Sequence, residues 1–166
     1  MRTLVLIFAA MLFSSSAHCA SDDQEKLSLI SEIVVNTRFA FSLKEGLKVS
    51  PKANAEDAHF KSRIIALPDD ILVPLIAEVY RNRMTLEEAR EVAAFYRSAA
   101  GRKLIAVQSR NLGTADPQYR LTADEYAMAQ RFSNSATTAA YRKASTDPAF
   151  FSDLTKILTD YLLKNP

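Results

Sequence analysis

One spacing restricts the fold of this chain more than any other feature, a Thr-x-x-Glu pair that opens an amphipathic stretch and returns further along the chain. Thr85 stands directly before the first such stretch, and Glu88 follows three residues later. In a capping box the threonine hydroxyl accepts from the glutamate backbone N–H, and the glutamate carboxylate accepts from the threonine N–H. We therefore predict a helix start here, and we interpret the stretch from Met84 to Arg110 as a helical hairpin.

Helical periodicity divides the first helix of this hairpin into an apolar and a polar side. The apolar side carries Leu86, Ala89, Val92, Ala93 and Tyr96. The polar side carries Glu87, Arg90, Glu91, Ala94 and Arg97. Phe95 lies at the border, Ser98 offers a second N-cap, and Gly101 lies just inside the next helix. Because a helical glycine costs roughly 1 kcal/mol relative to alanine, we interpret Gly101 as a point of close approach between the two helices.

The same signals return 37 residues later and predict a second, weakly related copy of the hairpin. Thr122 and Glu125 repeat the capping box, and Phe132 repeats the aromatic Phe95. Ser135 repeats the second cap, although the residues around it leave open whether the second copy is two helices or one fused helix. Two copies are fewer than a solenoid requires, so we predict a compact helical bundle built around two hairpins.

A long helical pattern occupies the N-terminal part of the chain, from Gln24 to about Leu47. Its apolar stripe is wide, which predicts a helix that is contacted on more than one side. Gly46 and Pro51 bracket the predicted end of this helix. A short helix from Ala55 to Ala66 is predicted to follow.

Two prolines mark the segment that precedes the first hairpin. Pro68 suits the first position of a helix, whose positive end would then hold the two aspartates that follow. Pro74 cannot donate a backbone hydrogen bond, so we predict a kink or a restart there. After the first hairpin, residues 111–121 are predicted to form the longest loop.

The C-terminal segment has the most regular amphipathic pattern of the chain. Its apolar stripe consists of Phe150, Phe151, Leu154, Ile157, Leu158, Tyr161 and Leu162. An exposed stripe of this size would mark an interface. We therefore predict that the helix packs on the body of the protein, against the N-terminal helix and the first hairpin. The alternative is that it docks on a partner or on a second copy.

These patterns together predict an all-α fold, because no strand pattern of comparable strength occurs. We expect residues 1–20 to be a cleaved signal peptide and residues 21–166 to form a single helical domain. Within it, residues 84–110 and 121–147 are the repeated hairpins, and residues 148–164 are the C-terminal amphipathic helix.

Residues 1–20 have the form of a secretory signal peptide. Arg2 provides the positive charge, residues 4–13 provide an apolar stretch, and small residues precede a cleavage site near Ala17 to Ala20. About ten apolar residues are too few to span a bilayer of about 30 Å. The sequence thus predicts a periplasmic or secreted protein without a membrane span.

The chain offers few residues for catalysis or metal binding. His59 is the sole histidine beyond the predicted signal peptide, and no Gly-x-Ser-x-Gly motif occurs. Glu56 and His59 share a helix face as in di-iron bundles, which require a second such motif. Glu87, Glu88 and Glu91 could act as an acid–base cluster, but a cap, a dipole partner and a solvated face explain them better. We assign no catalytic, cofactor-binding or metal-ligating residue and no cofactor.

Basic residues dominate the middle of the chain, namely Arg81, Arg83, Arg90, Arg97, Arg102, Lys103, Arg110 and Arg120. Acidic residues interleave with them, and the formal net charge is only +2, so we interpret them as a solvated surface. A weak patch for anionic envelope polymers or lipid head groups is the alternative. An exported chain without a reader motif is not expected to bind nucleic acid.

The first hairpin and the residues before it carry the core signature of a known family. The matching runs are Val79-Tyr80, Met84-Thr85-x-Glu87-Glu88, Ala94-Phe95-Tyr96-Arg97-Ser98 and Gly101-Arg102-Lys103-Leu104. In these runs the chain resembles the domain of unknown function 2059 family, over roughly Ile76 to Gln108. The resemblance implies a small, exported, all-helical bacterial protein, and it implies no activity or catalytic residue.

Two classes of function fit these observations. The first is a non-enzymatic periplasmic helical protein that binds an unidentified protein or an envelope component. The second is a carrier of a small apolar ligand or lipid, in which Phe39, Phe41, Phe150 and Phe151 line a cavity. The sequence leaves the oligomeric state open.

Overall fold

Helices account for most of the structure, a computed structural model that describes residues 21–110 and 117–165. The predicted signal peptide and residues 111–116 of the predicted loop lie outside these ranges. The helices are α1 (21–36), α2 (Phe39–Val49), α3 (Ala55–Ala66), α4 (Asp69–Arg81), α5 (Leu86–Arg97), α6 (Ala99–Arg110), α7 (Ala123–Ser133), α8 (Ala136–Thr146) and α9 (Pro148–Lys164). A 3₁₀ turn covers Pro117–Tyr119. The described residues contain no strand, which confirms the all-α prediction.

The N-terminal region is two helices, so the single long helix predicted there is wrong. Thr37 ends α1 by donating its hydroxyl hydrogen to the Ile33 carbonyl oxygen at 2.7 Å, a back-bond that competes with helix continuation. Arg38 then adopts φ 55°, in the left-handed region. The resulting bend lets Phe39 reach the same core as Ile33, because the ring of Phe39 lies against Tyr80. A straight helix would not turn both residues inward.

Helix α4 is continuous from Asp69 to Arg81, so the predicted restart at Pro74 is wrong. Pro68 is its N-cap rather than its first residue. In a regular helix the Asp70 carbonyl oxygen would accept from the N–H of residue 74. Both Asp70 and Pro74 are exposed. Water can therefore satisfy the carbonyl that proline leaves without a donor.

Both predicted hairpins are present, and each begins with its capping box. The Thr85 N–H donates to the Glu88 carboxylate at 2.7 Å, and the Glu88 N–H donates to the Thr85 hydroxyl at 3.2 Å. The distances are the same at Thr122 and Glu125. The second hairpin is two helices, α7 and α8, separated at residues 134–135.

The two hairpins pack on each other, with α5 against α8 and α6 against α7. This is the pattern expected when an approximate two-fold axis relates the two hairpins. The equivalent residues Phe95 and Phe132 meet face to face, with ring centroids 3.8 Å apart and planes 8° apart. Periodicity places Phe95 at the border of the apolar side, and the repeat predicts that it is buried. It is buried, because the second hairpin covers it. The repeat predicts that Phe132 is buried as well, but it is half-buried, because its ring also borders a cavity between the hairpins.

Gly101 lies at a close approach between helices, as its position at the hairpin corner predicts. A Cβ atom there would contact the backbone of α5, at the Phe95 carbonyl oxygen and 2.8 Å from the Tyr96 Cα. The corresponding residue of the second copy is Thr138, which is buried and donates its hydroxyl hydrogen to the Phe132 carbonyl oxygen at 2.5 Å. The two corners are therefore built differently although their caps match.

Helix α9 packs mainly on α4 and also on α8, whereas the N-terminal helix and the first hairpin were the predicted partners. Phe150 is fully buried, with its ring 4.7 Å from that of Tyr80. The N-terminal region contacts α9 through Phe39, 5.9 Å from Phe150. Phe151, predicted within the buried stripe, is 53% exposed. It follows Phe150 by about 100° around the helix, so both rings cannot face the core.

Candidate functional site

The histidine and acidic residues singled out from the sequence lie apart or have structural partners. His59 and Glu56 are both exposed on α3. Glu88 closes a capping box, Glu87 pairs with Arg90 on the same helix, and Glu91 accepts from the Thr137 hydroxyl. Within residues 21–110 and 117–165, no group of three His, Cys, Asp or Glu residues has the proximity that a metal site requires.

The basic residues in the middle of the chain mostly pair with carboxylates. The observed pairs are Arg81–Glu78, Arg83–Asp153, Arg90–Glu25, Arg97–Glu32 and Lys103–Glu125. The side chain of Arg110 lies outside the described part of the structure. This pairing lowers the positive potential of the surface and favours the solvated-surface interpretation over the patch for anionic polymers.

Two of these pairs join α1 to α5 with the same geometry. Arg90 donates from two nitrogens to both Glu25 oxygens at 2.9 Å, and Arg97 does the same to Glu32 at 2.5 and 2.7 Å. Glu32 follows Glu25 on α1, and its partner Arg97 follows Arg90 on α5, so α1 and α5 run parallel. Each guanidinium lowers the pKa of its glutamate, mainly through these hydrogen bonds. Exposure limits what each pair contributes to stability.

An apolar concave surface lies between α2 and the first turn of α9. We call it the α2–α9 groove, and its volume is about 450 Å³. Its lining residues are Phe39, Ser42, Leu43, Gly46, Leu47, Ser50 and Phe151. The lining residues of α2 and its C-cap Ser50 recur at helical spacing from Phe39 to Ser50, so the groove follows this helix for about 16 Å.

Gly46 leaves the middle of the groove open. A Cβ atom built on Gly46 would have no neighbour within 4 Å. The residue lies inside α2, which continues to Val49, so the helix ends between Gly46 and Pro51 as predicted. The sequence contains a pattern for this groove, because Phe39, Leu43, Gly46 and Leu47 share a helix face. The groove was not predicted from it, because the N-terminal region was predicted to be a single helix.

The charged residues of α2 are neutralised within the molecule. The Lys44 ammonium donates to the Asp69 carboxylate and to the Leu67 carbonyl oxygen, each at 2.7 Å. Lys48 pairs with Glu45 at 2.5 Å. The helix that forms most of the groove therefore presents an apolar surface with little net charge.

The cavity expected from the four phenylalanines does not form as predicted. Phe39 and Phe151 line the α2–α9 groove. Phe150 is fully buried beneath them and belongs to the core. Phe41 is 45% exposed, and the Arg38 guanidinium lies 4.5 Å from the centre of its ring. Two of the four residues thus share a concave surface, which is open rather than enclosed.

The described helices include none that is both long enough and apolar enough to cross a membrane. No curated protein and no solved structure matches the chain. The profile of a family described as "Uncharacterized protein conserved in bacteria (DUF2059)" matches residues 70–110. These residues form nearly all of α4 and the whole of α5 and α6. The match confirms the resemblance of residues 70–110 to this family.

Proposed function

We propose that this protein is a non-enzymatic binding module of the bacterial envelope, which holds an amphipathic helix of a partner protein in the α2–α9 groove. The observation that carries the proposal is the groove itself, an open apolar surface of about 450 Å³. Amphipathic helices bind such grooves through apolar anchors one or two turns apart. A groove of about 16 Å accommodates about three turns of a partner helix.

Gly46 supports a helical partner because it provides space at the centre of the groove. An anchoring side chain can approach the α2 backbone there without displacing any side chain. Leu43, Leu47 and Phe151 would surround that anchor. Binding energy at interfaces concentrates in such central, desolvated contacts.

The charges of α2 support a protein partner over a lipid head group. Recognition of anionic head groups relies on unpaired lysine or arginine side chains. Lys44 and Lys48 already pair with Asp69 and Glu45. A neutral apolar helix face complements this surface better than an anion does.

The non-enzymatic part of the proposal rests on the structural roles of the candidate acids. Glu88 is committed to a capping box, and Glu87 pairs with Arg90. His59 is exposed. The envelope location rests on the predicted signal peptide and on the match to a bacterial family.

A groove-filling substitution tests the proposal. Gly46→Trp places an indole in the open centre of the groove, whereas Val49→Asp alters a residue of the same helix that is 84% exposed and does not line it. The immobilised wild type and V49D should retain a common set of proteins from envelope extract, and G46W should lose at least one of them. A photoreactive side chain at Ser42 should then crosslink to an amphipathic segment of the lost protein. Identical sets on all three baits would contradict the proposal.

An apolar-ligand carrier is the second candidate. It is favoured by the volume of the groove, which lies within the range of small-molecule sites, and by its two phenylalanines. Native mass spectrometry of gently extracted protein distinguishes the two functions. A lipid bound to the wild type but not to G46W would favour the carrier.

A further inference from the structure

A separate cavity of about 250 Å³ lies where the two hairpins meet. We call it the junction cavity. All four helices of the hairpins contribute to its lining, and its apolar part includes Phe95, Leu104 and Phe132. Its polar part includes Tyr96 and Arg142. It shares no lining residue with the α2–α9 groove.

The Tyr96 phenol has no hydrogen-bond acceptor among the residues that the structure describes. Its ring packs at right-angle geometry near Phe132 and Tyr141, with centroids 6.0 and 6.4 Å away. A phenol keeps its proton at neutral pH, and burial raises the pKa of Tyr96 further, to about 12. A ligand oxygen in the cavity could accept that hydrogen bond.

The Arg142 guanidinium provides a positive charge at the same cavity. It donates to the Ser133 hydroxyl oxygen at 2.9 Å. No carboxylate lies within ion-pair distance of it in the described part of the chain, in contrast to Arg90 and Arg97. A guanidinium retains further N–H donors when one of them is occupied, and it matches a carboxylate in shape and charge.

We propose that the junction cavity binds a small monocarboxylate with an apolar body of about ten non-hydrogen atoms. The carboxylate would pair with Arg142 and accept from the Tyr96 phenol. The apolar body would lie against Phe132 and Leu104. One guanidinium suits a single negative charge, and the aromatic walls suit an aliphatic or aromatic body rather than a sugar.

Octanoate and octanamide form a matched pair of probes, because they have nearly the same shape and differ in charge. Titration of the full mature chain, followed by NMR of the tyrosine and phenylalanine side chains, should show octanoate binding with Kd of about 0.1–1 mM. Arg142→Gln should weaken octanoate binding about tenfold and leave octanamide binding unchanged. Arg131→Gln is the control, because Arg131 is an exposed residue of α7 that does not line the cavity. This variant should bind octanoate and octanamide as the wild type does.

A second variant tests the place of binding. Ala129 lines the cavity, so Ala129→Phe should fill it and abolish binding of both probes, whereas Gly46→Trp should have no effect. The proposal is overturned if octanoate does not bind at millimolar concentration, or if R142Q weakens octanoate binding no more than R131Q does. It is also overturned if the protein resonances that octanoate shifts belong to the α2–α9 groove. If A129F does not fold, the R142Q and R131Q pair decides. Because the two sites share no residue, failure here leaves the proposed partner-binding function untouched.

Discussion

Gly46 and Gly101 both lie inside helices, but their surroundings are opposite. Nothing lies within 4 Å of a Cβ atom built on Gly46. A Cβ atom on Gly101 would press into the backbone of α5. The same residue type therefore has a different role at each position: open surface at Gly46 and close helix packing at Gly101.

Alanine substitution should separate these roles. Gly46→Ala should stabilise the protein by roughly 0.5–1 kcal/mol, because alanine favours a helix and meets no obstacle. Gly101→Ala should destabilise it by about 1–3 kcal/mol, because the α5 backbone must shift. Denaturant unfolding of the two variants measures both effects. A destabilising effect at Gly46 would contradict the open surface assigned to it.

The stacked pair Phe95 and Phe132 tests whether the second hairpin is as important as the first. Phe95→Ala should cost about 3–5 kcal/mol, as expected for a buried aromatic residue. Phe132 is half-buried, so Phe132→Ala should cost less but remain above about 1 kcal/mol. Equilibrium unfolding of both variants provides the comparison. An effect below about 1 kcal/mol at Phe132 would show that the second copy contributes only its caps.

At the scale of elements, α9 closes the core from one side. Phe150, Leu154, Leu158 and Leu162 are all buried, and their burial contributes about 6–12 kcal/mol. That contribution is comparable with the whole stability of a domain of this size. The end of α9 is also held by the Arg63 guanidinium, which donates to the Leu162 carbonyl oxygen at 3.0 Å.

Removal of α9 by truncation after Asp147 should therefore abolish cooperative unfolding. Thermal unfolding followed by circular dichroism measures this effect. Phe151→Ser is the control, because this exposed residue of the same helix should tolerate a polar side chain with little loss of stability. If the truncated protein melted normally but lost self-association or partner binding, α9 would be an interface element instead.

At the scale of the whole molecule, three tyrosines join α4, α5 and α8. Tyr80 stacks on Tyr141 with centroids 6.0 Å apart, and Tyr96 lies 6.4 Å from Tyr141. The Tyr80 hydroxyl shares a hydrogen bond of 3.0 Å with the Ser145 hydroxyl. Burial raises the pKa of all three phenols, to about 12 at Tyr96.

This cluster predicts a loss of stability at high pH. Above about pH 10 the unfolded chain releases phenolic protons that the folded chain retains, so the free energy of unfolding falls as pH rises. The contribution is fully present below about pH 10 and, for Tyr96, is lost as pH rises to about 12. Denaturant unfolding across this window should show the decline, and Tyr96→Phe should make it shallower. Tyr126→Phe, at an exposed tyrosine outside the cluster, should not change the slope.

Export is a prediction about the whole chain. The n-region, the apolar stretch and the small residues of 1–20 predict cleavage near Ala17 to Ala20. Intact mass of the periplasmic fraction should therefore lack about 17–20 residues. Full-length protein recovered from the cytosol alone would exclude this location.

The sequence by itself determined the features that depend on neighbours three or four residues apart. Both capping boxes form at the predicted pairs, and Ser98 caps α6 by accepting from the Gly101 N–H at 3.1 Å. The helical class and most of the α9 stripe were also predictable, because periodicity shows directly which residues share a face.

Tertiary structure alone decided which residues of each helix are covered by other helices. Only contacts far apart in sequence bury Phe95 against the second hairpin and leave Phe151 exposed beside the buried Phe150. The break at Arg38 likewise places Phe39 in the core, where its ring lies against that of Tyr80. The α2–α9 groove could not be predicted from the sequence for the same reason. Its lining combines α2 with Phe151, more than a hundred residues later, and local periodicity carries no information about which helices meet.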